Sequence, residues 1–68
     1  MTLSEFLNSK VAKEYREENF QRMKDELRKI CIDENWPIAN NETALDAVTN
    51  DNIDHILIDI YEKDYKNQ

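Results

Sequence analysis

Glycine is absent from all 68 residues and proline occurs once, at Pro37, so the chain has almost none of the residues that turn or break a backbone. Tight hairpins and phosphate-cradling loops rely on glycine to reach positive φ or to let a ligand approach the main chain. A Walker A loop and a dinucleotide-binding fingerprint are therefore excluded. Helices, which tolerate neither breaker in their interior, are favoured. Hydrophobic residues make up 40% and charged residues 35%, a balance suited to a compact core under a solvated surface rather than to disorder. A chain this short forms one domain at most and buries a smaller share of its surface than larger chains do, which disfavours a deep enzymatic cleft.

The opening Thr2-Leu3-Ser4-Glu5 has the form of a capping box, which predicts a short helix over about 3–8 with Leu3, Phe6 and Leu7 as its apolar side. Ser9 is then placed to cap the next helix. From Lys10 to Ile32 no breaker intervenes, and Ala12, Tyr15, Phe20, Met23, Leu27 and Ile30 share one broad face while Lys10, Lys24 and Arg28 lie outside it. This predicts a long helix over about 10–32. A second division of the same stretch sets Leu3, Leu7, Val11 and Tyr15 roughly opposite Phe20, Met23, Leu27 and Cys31. It requires either a kink near Arg16–Asn19 or two neighbours on two sides.

Pro37 biases Trp36 away from helical geometry and so ends that helix within residues 33–38, with Trp36 and Ile38 expected to fold back as a plug on the core. Asn40, Asn41 and Thr43 are cap candidates, and Ala44, Leu45, Ala47 and Val48 predict a short helix over about 43–48, which Thr49-Asn50 should break. Asp51 then caps a last helix over about 51–66, in which Ile53, Ile56, Leu57, Ile60 and Tyr61 occupy i, i+3, i+4, i+7 and i+8. A strand over Ile56–Tyr61 competes through its β-branched and aromatic residues, but it would leave Leu57 and Tyr61 on the polar face. The reading is an all-α fold: one small compact helical bundle of two longer helices and two short ones.

The formal net charge is −6, and it is unevenly spread. Residues 1–32 hold seven basic against six acidic residues, whereas residues 33–68 hold nine acids against Lys63 and Lys66. The acidic half attracts basic partners and repels nucleic-acid backbones, so direct DNA or RNA binding is not expected. The near-neutral long helix is placed to pack beside the acidic last one with its basic residues at the seam. Cys31 is the only cysteine and cannot form an internal disulfide, and the first residues lack the pattern of a signal peptide. No apolar stretch approaches the roughly 20 residues of a membrane-spanning helix. A soluble, cytoplasmic protein without membrane contact is expected.

Candidate chemistry is sparse. Asp51, His55 and Asp59 recur at i, i+4 and i+8 with Glu62 close by, a spacing that could meet a divalent metal, but it reads equally as a helix cap and a solvated histidine among acids. Asn50–Asp54 lacks the glycine turn and distal glutamate of a calcium loop. Cys31 has no base in the sequence except His55 and reads as a small buried apolar residue. The adjacent carboxylates Glu17-Glu18 and Asp25-Glu26 diverge by about 100° on a helix and form no acid/base dyad. Lys10–Glu14, Lys13–Glu17, Glu18–Arg22, Arg22–Glu26 and Asp25–Lys29 are i, i+4 pairs that support the helix. A helix-turn-helix echo over 43–65 fails as a DNA reader, since its second helix would hold Asp54, Asp59, Glu62 and Asp64 near phosphates. No metal, cofactor or catalytic residue is assigned, and an enzyme is not expected.

The surplus of apolar residues on the last helix points elsewhere. Ile58 and Tyr65 lie at the margin of its stripe with Tyr61 bordering them, rimmed by Asp51, Asp59 and Glu62, the make-up of a protein interface; the alternative is that Ile58 and Tyr65 close the core against the first helix. The expectation is a small acidic regulatory or inhibitory protein-binding module whose partner presents a basic surface. Two alternatives stand beside it: a nucleic-acid mimic that blocks a DNA- or RNA-binding protein, of the kind phages and mobile elements use, and a self-associating homodimer.

Overall fold

The computed structural model describes residues 1–67. Three α-helices follow one another: α1 (Leu3–Leu7), α2 (Lys10–Asp33) and α3 (Glu42–Ile60). A 3₁₀ turn (Pro37–Asn40) joins α2 to α3, and α3 runs on into a π-helical turn (Tyr61–Tyr65). Among the described residues there is no strand, so Ile56–Tyr61 is helical rather than extended. The molecule is a rod of 44 × 17 × 15 Å, essentially a helical hairpin with α1 folded across its open end.

The caps read from the sequence form as expected at the first two helices. The Thr2 hydroxyl accepts from the Glu5 amide (3.1 Å) and the Glu5 carboxylate accepts from the Thr2 amide (2.9 Å), the reciprocal pair of a capping box. The Thr2 amide first, and the Thr2 side chain after it, hold the Glu5 carboxyl below its ordinary pKa. Ser9 Oγ accepts from the Ala12 amide at the start of α2.

The end of α2 shows how a chain without glycine stops a helix. Asn35 takes φ 58°, the one positive φ among the described residues, and asparagine is the residue that most readily stands in for glycine there. The Asn35 amide then bonds the Ile32 carbonyl (3.1 Å) and the Trp36 amide bonds the Cys31 carbonyl (2.8 Å). These are the two bonds of a Schellman motif, and they satisfy carbonyls that the helix end would otherwise orphan. Trp36 is extended (φ −81°, ψ 132°), as the following Pro37 requires.

The largest departure from the expected layout lies in α3. Thr49-Asn50 does not break it, the helices expected at 43–48 and 51–66 are one, and Asp51 is an exposed residue in its interior rather than a cap. Thr49 and Asn50 find their partners without leaving the helix. The buried Thr49 hydroxyl donates to the Leu45 carbonyl one turn back (2.7 Å), and the Asn50 side chain accepts from Arg16 of α2 (2.8 Å). The helix start is instead capped by Asn41, whose Oδ1 accepts from the Ala44 amide.

The core follows two rows. On α3 the buried residues are Leu45, Thr49, Ile53, Leu57 and then Tyr61, one every fourth position across the expected break. On α2 Ala12 and Cys31 are fully buried, with Tyr15, Phe20, Met23 and Leu27 half-buried between them. Two members of the expected stripes fall outside: Ile30 is 51% and Val11 50% exposed. Rows spaced by four drift around a 3.6-residue helix, so α2 turns one flank to α1 at its start and another to the 3₁₀ turn at its end. Two neighbours on two sides reconcile the two sequence stripes, and α2 continues as helix through Arg16–Asn19.

Candidate functional site

The residues expected to form a docking face are split between core and surface. Tyr61 is only 8% exposed: its ring stacks on Phe6 (centroids 5.8 Å apart, planes tilted 41°) and its hydroxyl donates to the Met1 carbonyl (2.8 Å). Tyr65 is half-buried with its ring 4.7 Å from that of Phe6. Phe6 has no exposed surface. The tyrosines expected as surface anchors therefore clamp α1 onto the end of α3, and the core-closing role is the one Tyr65 takes. The π turn belongs to this clamp, with the Lys66 amide reaching the Tyr61 carbonyl five residues back.

What remains outside is an acidic row. Asp51 and Asp59 of α3 and Glu62 of the π turn are exposed along one side, and Ile58 beside them is half-buried. His55 lies in the same row, its Nδ1 2.9 Å from the Asp51 carbonyl and 3.6 Å from the Asp51 carboxylate. Glu62 pairs with Lys66 one turn on (3.1 Å). Among the described residues no three His, Cys, Asp or Glu side chains are grouped so as to hold a metal ion. Cys31 is fully buried, where a thiol acts as a small apolar residue.

The basic residues of α2 do lie at the seam with α3. Arg16 bonds Asp54 and Asn50, Lys24 reaches Glu42 (2.6 Å) and Asp46 (2.7 Å), and Arg28 bonds Glu42. Partners on α3 recede as α2 advances, which is the antiparallel register. Hydrogen bonds to Asp46 and then Glu42 hold the Lys24 ammonium above its ordinary pKa, and the Lys24 bond, aided by the Arg28 charge, holds Glu42 below its own. The Arg16 and Arg28 pairs, open to solvent, serve register more than stability, whereas the Lys24 side chain is only 12% exposed between its two acids.

Of the five i, i+4 pairs expected within α2, Lys10–Glu14 (3.6 Å) and Arg22–Glu26 (3.3 Å) form. Arg22 also turns to Asn19 (2.8 Å) and Asp25 takes the Gln21 amide (2.9 Å), which removes the partners that Glu18 and Lys29 would need. The seam changes the character of the surface. Three cations of α2 are neutralised by three acids of α3, and the rest of the chain carries twelve carboxylates against six cations.

The largest exposed apolar side chains sit elsewhere, at the closed end of the hairpin. Trp36 is 50% and Ile32 58% exposed, so Trp36 is not the core plug that the sequence suggested, although Ile38 is half-buried. Ile32, Asn35, Trp36, Pro37, Ala39 and Asn40 line a groove of about 340 Å³, with the buried Cys31 among its walls. A signal for this patch exists in the sequence. Ile32 stands about 100° from Cys31 around the helix and outside the Phe20–Cys31 row.

No helix among the described residues is long and apolar enough to cross a membrane. No protein-family model, curated protein or solved structure matches the chain.

Proposed function

We propose that this chain is an acidic protein-binding module that acts by docking on a basic surface of another protein, regulating or inhibiting it, without chemistry of its own. The observation that carries this reading is the twofold surplus of carboxylates left once the seam has absorbed three cations. Such a field steers encounter with a basic partner and sets specificity more than final affinity.

The nucleic-acid mimic is a narrower version of the same electrostatics, and charge spacing weighs against it. Asp51 and Glu62 lie eleven steps apart, about 16 Å at 1.5 Å per residue, and with Asp59 between them the charges are spaced on average roughly 8 Å apart. A single nucleic-acid strand carries one per about 3.4 Å and a duplex one per about 1.7 Å. The row is too dilute to imitate a phosphate backbone by itself.

The test is affinity capture from the native host, comparing the native chain with Asp59→Lys combined with Glu62→Lys, each at two salt concentrations. Both positions are exposed, so the variant keeps its fold, which circular dichroism verifies. The proposal expects a partner whose capture weakens with salt and with charge reversal. A partner held equally by both proteins at both salts removes the electrostatic basis of the reading.

A further inference from the structure

We infer that the closed end of the hairpin is a docking site for a short segment of a partner protein, in which an apolar side chain is flanked by lysine or arginine. The inference rests on the protein-binding reading above and gives it a place and a chemistry.

Two observations meet there. The first is apolar: Ile32 and Trp36, each half or more exposed, stand on the walls of one groove that Asn35 and Asn40 complete, and tryptophan is among the residues that most often dominate the centre of an interface. The second is electrostatic. Asp33 is the last residue of α2 and Glu34 its C-cap, and the last turn contains no basic residue. A helix C-terminus carries partial negative charge, so two carboxylates there oppose the dipole and weaken the helix instead of supporting it. Both are exposed, and neither has an ion-pair partner among the described residues.

Of the nearby cations one is committed elsewhere and one stands against the two acids. Arg28, one turn before Ile32, is bound to Glu42 across the seam, and Lys29 makes no ion pair with Asp33. Two exposed apolar side chains thus stand beside two acids at a helix end that no ion pair within the chain engages. A partner segment with an apolar residue beside cations fits both halves of this surface. A second copy of the chain does not, because it would bring its own Asp33 and Glu34 and a further charge of −6 toward the first.

Trp36 is the only tryptophan, so its emission reports on the groove without a label. The probe is a panel of blocked hexapeptides with leucine or phenylalanine between lysines and arginines. Two matched panels replace the cations by glutamate or the apolar residues by alanine. The basic apolar panel should give a saturable blue shift, with both controls at least about tenfold weaker. Ile32→Asp, at an exposed position, should abolish the response.

Asp33→Lys with Glu34→Lys should weaken binding by roughly tenfold while raising the melting temperature, because the helix end is relieved of two like charges. A purely structural role for these acids predicts the reverse change in melting. No shift with any basic peptide, an equal response to the glutamate panel, or a response that survives Ile32→Asp overturns the inference. So does a concentration-dependent shift of Trp36 emission in the free protein, which would assign the groove to a second copy. Capture of a partner that withstands Ile32→Asp but is lost with Asp59→Lys and Glu62→Lys would remove this site and leave the proposed function standing.

Discussion

Replacing Phe6 by alanine tests how the rod is closed. Phe6 is the only buried residue of α1 and has no exposed surface, and a five-residue helix has no stability of its own. Truncating a buried phenylalanine costs about 3–5 kcal/mol, of which each of the two ring contacts with Tyr61 and Tyr65 supplies about 0.5–1.5. A 68-residue domain has only about 3–10 kcal/mol in all at typical per-residue stability. Phe6→Ala is therefore expected to bring the protein close to unfolding, and Phe6→Leu, which keeps most of the burial but loses the rings, to cost about 1–2 kcal/mol. Urea titration followed by Trp36 fluorescence and by far-UV circular dichroism measures both variants. Trp36 reads the closed end of the hairpin and the helical signal reads the whole, so coincident curves mean that the clamp belongs to the cooperative unit. A loss below about 1 kcal/mol for Phe6→Ala would refute the claim that this ring holds α1 and the π turn in place.

Three further perturbations probe separate joints. Asn35→Ala should cost about 1 kcal/mol and Asn35→Gly should be neutral or slightly stabilising in thermal melts, because only the positive φ of the Schellman turn is at stake. Thr49→Val should change stability by less than about 1 kcal/mol, since the Leu45 carbonyl keeps its helical bond when the hydroxyl is removed, whereas Thr49→Asp should unfold the chain by burying a charge. Glu42 is held below its ordinary pKa of 4.5, so its contribution is present above that pH and is lost as pH falls through the lower folded value; the melting-temperature gap between the native protein and Glu42→Gln should be open at neutral pH and close in acid. Lys24 is held above its ordinary 10.5, so the gap to Lys24→Met should persist through neutral pH and narrow only in strong base.

Much of the fold was legible in the residues themselves. The lack of glycine, the Thr2–Glu5 box, the Ser9 cap and the Pro37 stop act within one or two turns, and local interactions of that kind do not wait for tertiary structure. The basic side of α2 and the acidic side of α3 likewise announced their pairing through charge alone. The candidate site was legible only in part: the acidic row Asp51, Asp59 and Glu62 lies on the surface, but which apolar residues join it could not be read from one helix.

Tertiary packing decided the rest. Thr49 and Asn50 have the local propensity of a break, yet one hydroxyl bonded to Leu45 and one amide held by Arg16 satisfy them inside a continuous helix, as the fourth-residue row from Leu45 to Tyr61 demands. Tyr61 and Tyr65 have the composition of an interface, but α1 returns across them, burying Tyr61 in the core and half-burying Tyr65 against it. Trp36 has the composition of core, but the Schellman turn at Asn35 directs the chain so that it stays half in water. A helix periodicity shows which side of a segment is apolar, whereas only the arrival of another segment decides whether that side is covered.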